Sequence, residues 1–230
     1  MIQHIERFIA AGVIPMPVIR ATKAPAGGFS QAAWYAAAPD AAAIRGVWQR
    51  YGAKADAVAL VCGHGLEVLD ADVNHDPSGT IHAKFEKALE EHCPGLLSRL
   101  VIESSQSGGV HYWYKVGSSR PSTKLATLVY DDADRFALDT EALTGVVLDT
   151  RGQGGHCLCA PSPGYTLLHG SLDNIPLLSD EERDLMWDIA RSFNQHVLAV
   201  TYVKGESRNT GTDLKPGDDY SENCDIEEAV

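Results

Sequence analysis

The chain has 230 residues, 44% of them hydrophobic, and a formal net charge of −12. That is enough for one large core, or for one domain and a tail, and no run of about eighteen apolar residues is present to span a membrane. The acidity argues against a protein that coats nucleic acid by general attraction, but the charge is uneven: residues 213–230 carry seven acids and one base, half of the whole excess.

The N-terminal stretch MIQHIERFIAAG is amphipathic and has no basic leader, so it does not read as a signal peptide. Ile2, Ile5, Phe8 and Ile9 share one face of a helix over 2–11, which Gly12 stops. VIPMPVI is extended, and its two prolines place it at a sheet edge or in irregular structure. RATKAPAGGFSQ is a loop by composition. PDAAAIRGVWQRYG is a helix capped by Asp40. AVALVCG and LEVLDADV are strands around a Gly-His-Gly turn, and residues 78–92 form a helix that Ser78 is placed to cap. LVIESSQ and VHYWYKV flank a Gly-Gly turn, a hairpin signal. Residues 117–144 carry no readable period. GVVLDTRG is a strand, GQGG a turn, HCLCA a strand, and PSPGYTLL one more. In SDEERDLMWDIARSFNQHVL, Ser179 and Glu182 stand in capping-box positions for a helix. Beyond about 203 the chain is polar and reads as linker. The fold class is α/β (α+β) with a mixed, largely antiparallel sheet.

The five cysteines are odd in number, and three lie in apolar runs, which suits reduced thiols and a cytoplasmic protein. Cys157 and Cys159 make a C-x-C, but a zinc knuckle would need a second pair. GQGG lacks the spacing of a dinucleotide fingerprint, and there is no phosphate-binding G-x₄-G-K-[ST].

Three strand ends carry polar groups among apolar neighbours: Asp70 with Asp72; Ser107, Gly108, Gly109 and His111; and Asp149 with Arg151. Each has an ordinary explanation. A strand-end aspartate often forms a turn, a strand histidine is often a satisfied core residue, and Asp-x-Arg is often a solvated ion pair. The aspartate pair is harder to dismiss. Positions two apart on a strand share a face, and two like charges held together need a cation or a proton. If Asp70, Asp72 and Asp149 converge, they can hold two divalent cations, which lower the pKa of a nucleophilic hydroxyl and stabilise a leaving phosphate oxygen. Hard oxygen ligands select Mg²⁺ or Mn²⁺. His111 and Arg151 suit a nucleoside triphosphate, and a Gly-Gly turn lets a phosphate approach the backbone.

The ordered set LDAD, SQSGGVHYWY and VVLDTRGQGGHCLCAPS resembles the primase-polymerase domain of the archaeo-eukaryotic primase superfamily, the bifunctional prim-pol module of phage and plasmid replication proteins. KAP, SQAAWYAAAPDAAAIRGVW and APSPGY resemble its outer elements, and the likeness covers roughly residues 5 to 195. His156 departs from it, since a small or aromatic residue is expected there. The resemblance implies an RRM-like catalytic sheet flanked by helices, with a smaller α/β N-terminal unit, over residues 1–203. It implies a DNA primase or polymerase, a nucleotidyltransferase acting on a single-stranded DNA template or primer-template with nucleoside triphosphates. Asp70, Asp72 and Asp149 would bind the metals. His111 and Ser107 would contact phosphates beside Gly108 and Gly109, Arg151 would help there or touch the template, and Lys23 is a further phosphate candidate. It also implies that 204–230 is an acidic linker towards a helicase domain. Two other readings use the same residues: a metal-dependent nuclease, and a non-catalytic nucleic-acid-binding module. The S-G-G-x-H element argues against the first and three intact carboxylates against the second.

Overall fold

Helix α1 (Ile2–Ala10) turns Ile5 and Phe8 inward, and Gly12, at φ 70°, ends it. The computed structural model describes residues 2–195. Strand β1 (Pro15–Val18) sits at a sheet edge, the place where a proline without an N–H is tolerated. Two helices follow. The short α2 (Ala32–Ala36) is absent from the sequence reading; its only buried residue is Trp34, too little to show a period. In α3 (Ala41–Tyr51), the Asp40 carboxylate accepts the Ala43 N–H at 2.8 Å, as expected of a cap.

Strands β2 (Ala57–Val61) and β3 (Leu66–Ala71) do not form a hairpin across the Gly-His-Gly turn; they belong to different sheets. All three turn residues have positive φ, which carries the chain from one sheet to the other. Helix α4 (Ile81–His92) starts later than residue 78, and Ser78 does not cap it. The Asp76 carboxylate accepts the Ile81 N–H at 2.7 Å and binds Ser78 as well. The hairpin of β4 (Val101–Ser104) and β5 (Val110–Lys115) forms as expected. The unreadable stretch holds β6 (Lys124–Val129) and α5 (Asp132–Leu138). Helix α5 buries none of its residues, so it shows no amphipathic pattern. Strands β7 (Thr144–Arg151), β8 (His156–Cys159) and β9 (Thr166–His169) follow, and α6 (Asp180–Arg191) carries the Ser179/Glu182 capping box. Helix α6 ends before residue 198, and the expected linker beyond 203 lies outside the described residues.

The strands make two sheets, ordered β1-β2-β8 and β6-β7-β3-β5-β4-β9, and every pairing between them is antiparallel. Within the larger sheet, β7-β3-β5-β4 with α4 joining β3 to β4 is the split β-α-β of an RRM-like sheet. The smaller sheet and α1–α3 form the α/β unit beside it, completed by β8 from late in the chain. Helices α4 and α6 cover one face of the large sheet, where Phe85, Leu89, Met186 and Trp187 pack on Leu69, Tyr112 and Tyr114. The small sheet covers the other face, with Leu60, Cys157 and Cys159 against Val68, Val101 and Trp113. Strand β3 is thus buried on both sides, with Leu66 and Val68 towards the small sheet and Leu69 and Ala71 towards the helices. Among the described residues no helix is long and apolar enough to cross a membrane.

Phe85 is fully buried and meets the Tyr112 ring edge-on at 5.4 Å. Phe85→Ala leaves a cavity between α4 and the sheet and is expected to cost about 3–5 kcal/mol. Urea unfolding with an unchanged slope is the check; a loss below about 1 kcal/mol would contradict this packing.

Candidate active site

Along β3, Leu66 and Val68 face the small sheet while Leu69 and Ala71 face the helices. Asp70 continues the Val68 side. Antiparallel register then sets its neighbours: Asp70 is opposite Asp149 on β7 and His111 on β5, and His111 is opposite Glu103 on β4. Residues directly opposite in such a sheet share a face. The register therefore lays Asp149, Asp70, His111 and Glu103 in one row across four strands. A cleft of about 590 Å³ opens over Asp70 and His111 at the middle of this row. Asp70, Asp72, Ser107, His111 and Arg151 line one wall; Lys23, Tyr35 and His156 line the other.

The carboxylates come with their own counter-charges. Arg151 lies two residues beyond Asp149 on the same face, with Nη2 at 2.9 Å from Asp149 Oδ2 and 3.6 Å from Asp70 Oδ2. His111 Nε2 lies 3.7 Å from Asp70 Oδ1. Burial first, and then the charges of Asp70 and Asp72, push Asp149 up to about 7 against the pull of Arg151 and His111. Asp149 Oδ1 is buried and accepts no hydrogen bond from any of the described residues. Asp72 stands just past the strand end, where it accepts the Asn74 N–H at 2.9 Å and lies 3.5 Å from His75 Nδ1.

Burial also works against a charged His111. The adjoining Cys157 sulfur and the Glu103 and Asp70 carboxylates outweigh it, and His111 titrates well above the ordinary histidine range. Burial in turn pushes the Cys157 thiol up to about 11, against the pull of His111. The turn between β4 and β5 lies against the end of β3: a side chain on Gly109 would place Cβ 2.6 Å from the Ala71 carbonyl oxygen. Gly108 has φ of 85°. This close approach brings Ser107 to the cleft beside Asp70.

On the other wall, burial lowers the pKa of His156, so the ring is neutral near pH 7. Its Nε2–H donates to the Lys23 carbonyl at 2.8 Å, and Nδ1 accepts the Tyr35 hydroxyl at 2.5 Å. His156, the residue that departs from the resemblance, thus ties the Lys23 loop and α2 to β8.

The cleft gathers Asp70, Asp72, Ser107, Gly109, His111, Arg151 and Lys23. Asp149 lines a small adjoining hollow of about 100 Å³ with Asp70, Asp72 and Arg151. Gly108 shapes the turn without lining the cleft. Sequence reasoning missed Glu103 and Tyr35; the one signal was a lone acid inside the apolar run LVIES. Among the described residues, no three His, Cys, Asp or Glu side chains converge as they stand on a metal-sized space. The donor chemistry nonetheless suits a hard cation: three carboxylates, one with an unpartnered buried oxygen.

Residues 6–180, which contain the whole row, match the profile of the bifunctional DNA primase/polymerase N-terminal domain. The chain belongs to this family. Comparison with curated proteins found no match. At the level of the family, the primase/polymerase domain is a nucleotidyltransferase module of DNA replication.

Asp149 supplies a pH test of the site's electrostatics. The folded primase/polymerase domain holds this proton to about pH 7, whereas an unfolded chain releases it near 3.8. The stability contributed by the group is therefore complete below the unfolded pKa and is lost as pH rises through about 7. In metal-free buffer, Asp149→Asn is expected to raise thermal stability over the parent clearly at about pH 8 and much less at about pH 5. Equal shifts at the two pH values would mean that Asp149 is ionised throughout.

Proposed function

We propose that the cleft carries out template-directed nucleotidyl transfer on single-stranded DNA, in which a 3′-hydroxyl bonds to the α-phosphorus of a nucleoside triphosphate as pyrophosphate leaves, for primer synthesis, primer extension or both. The observation that carries this reading is the row itself: two carboxylates and a histidine in register across three strands, beside a glycine turn, with Asp70 and His111 lining a cleft of about 590 Å³ and Asp149 the hollow beside it. Asp70, Asp72 and Asp149 would hold Mg²⁺ or Mn²⁺. When bound, such ions lower the pKa of the attacking hydroxyl and offset charge on the leaving pyrophosphate.

The remaining groups bind and orient. His111 stands beside Asp70 with its pKa raised, and a ring that holds its protons suits a phosphate oxygen. Ser107 and the glycine turn supply polar contacts next to it, and Lys23 brings an ammonium from the opposite wall. Arg151 neutralises Asp70 and Asp149, and it lines the cleft where a phosphate would lie. The domain's overall acidity does not oppose this, because Lys23, His111 and Arg151 put basic groups in the cleft itself. A cytoplasmic setting suits the reduced cysteines, and Cys62, Cys93, Cys157 and Cys159 are all free thiols.

The decisive experiment incubates the protein with single-stranded DNA, labelled nucleotides and Mg²⁺ or Mn²⁺, with and without an annealed primer. Product longer than the input supports the proposal, whereas shortened DNA would point to a nuclease. Asp70→Ala, Asp72→Ala and Asp149→Ala are each expected to abolish extension and leave the folded state intact by circular dichroism. Two variants with near-native rates would refute the assignment. His111→Ala should weaken nucleotide binding by roughly ten- to a hundredfold, the worth of one charge-assisted hydrogen bond. DNA affinity should change little, and the reverse pattern would reassign His111 to the template.

A further inference from the structure

Glu103 has no part in the reading above, yet it is fully buried on β4. A carboxylate removed from water is costly unless its oxygens are paired. Its partners are three donors. Oε1 accepts the Ala160 N–H at 2.5 Å, and Oε2 accepts the Trp113 indole N–H at 3.3 Å and faces His111 Nδ1 at 3.2 Å. The Ala160 and Trp113 groups can only donate, so the carboxylate serves as their acceptor, and His111 Nδ1–H completes the set as the third donor. The rest of the ring is held as closely. Trp113 stands edge-on to it with centroids 6.0 Å apart, and the Cys157 sulfur lies 3.6 Å from Nδ1 and 3.7 Å from Nε2. With Nδ1 engaged by Glu103, Nε2 is the nitrogen left on the Asp70 side of a ring that lines the cleft.

We propose that Glu103 is a positioning residue that fixes the His111 ring for the incoming nucleotide's phosphate and acts on nucleotide binding only through His111. This rests on the reading of His111 as a nucleotide contact. The competing role is purely structural: the bond from Ala160, just past the end of β8, ties the small sheet to the large one. The two roles separate in a double-mutant cycle. Glutamine has the shape of Glu103 but must turn its amide N–H₂ either to the Ala160 N–H or to the His111 and Trp113 donors.

The test is primer extension by the parent, Glu103→Gln, His111→Ala and the double variant, reading nucleotide KM and kcat separately. Glu103→Gln is expected to raise nucleotide KM about tenfold, the scale of a sub-ångström misplacement, with a smaller change in kcat. Added to His111→Ala, it should change KM by less than about twofold, since residues acting through one group are not additive. An unchanged KM in Glu103→Gln, or an increase of the same size with and without His111, overturns the proposal. His111→Ala with an unchanged KM overturns the underlying reading of His111, and that result is visible in the single variant. If Glu103→Gln does not fold, nitrogen-labelled histidine in the parent protein decides. A slowly exchanging Nδ1–H resonance from His111 is expected, and its absence overturns the proposal.

Discussion

Everything at the site follows from placing two negative charges side by side on strands that are otherwise buried. Asp70 and Asp149 are cross-strand neighbours, a pairing that destabilises a sheet unless it is compensated. Arg151 and His111 supply the compensation, one from two residues along β7 and the other from the next strand. Asp149 is still pushed towards neutrality, and among the described residues one of its oxygens has no partner. A site in this condition is poised for an added positive charge: a cation would relieve repulsion that the fold only partly cancels. The same tension explains why the polar row sits at the rim of the sheet–sheet interface. One step further in, Val68, Trp113 and Val101 are fully buried against the small sheet, where a carboxylate would be cut off from water.

The core machinery was legible because period-two patterns survive in the sequence. LEVLDA alternates between two buried faces, so its last charged residue had to emerge on a defined side. The Gly-Gly hairpin and the helix caps at Asp40 and Ser179 depend on local chemistry that a sequence carries openly. Register does not. Nothing in the order of residues says that position 70 faces 111 and 149, and this pairing turns three separate strand ends into one row. Glu103 escaped for the same reason. Alone in LVIES it looks like a surface acid, and only the strand beside it shows that it serves a histidine. Ser78 misled because Asp76, two residues earlier, reaches the helix end better.

The late strand β8 shows why chain order is a poor guide to the domain's layers. Residues 156–159 return to a sheet otherwise built before residue 62 and carry His156 to the wall opposite the carboxylates. Through Tyr35 and Lys23, His156 links three segments from both ends of the domain. The cleft is therefore assembled from nearly the whole described chain, and no single supersecondary unit contains it.

Of the three places where the described chain passes between the sheets, two glycine-bearing turns, residues 63–65 and 152–155, touch. A side chain on Gly63 would run into Gln153, and one on Gly152 into the Arg120 carbonyl. Backbone thus lies against backbone where the two walls of the cleft are joined. Main-chain contact this close admits almost no change in length. The exposed connection from α5 to β7 is free of that restriction. Natural length variation, inserted tags and new termini should accordingly be tolerated at residues 139–143, and a single added residue at either crossing should throw the two walls out of alignment.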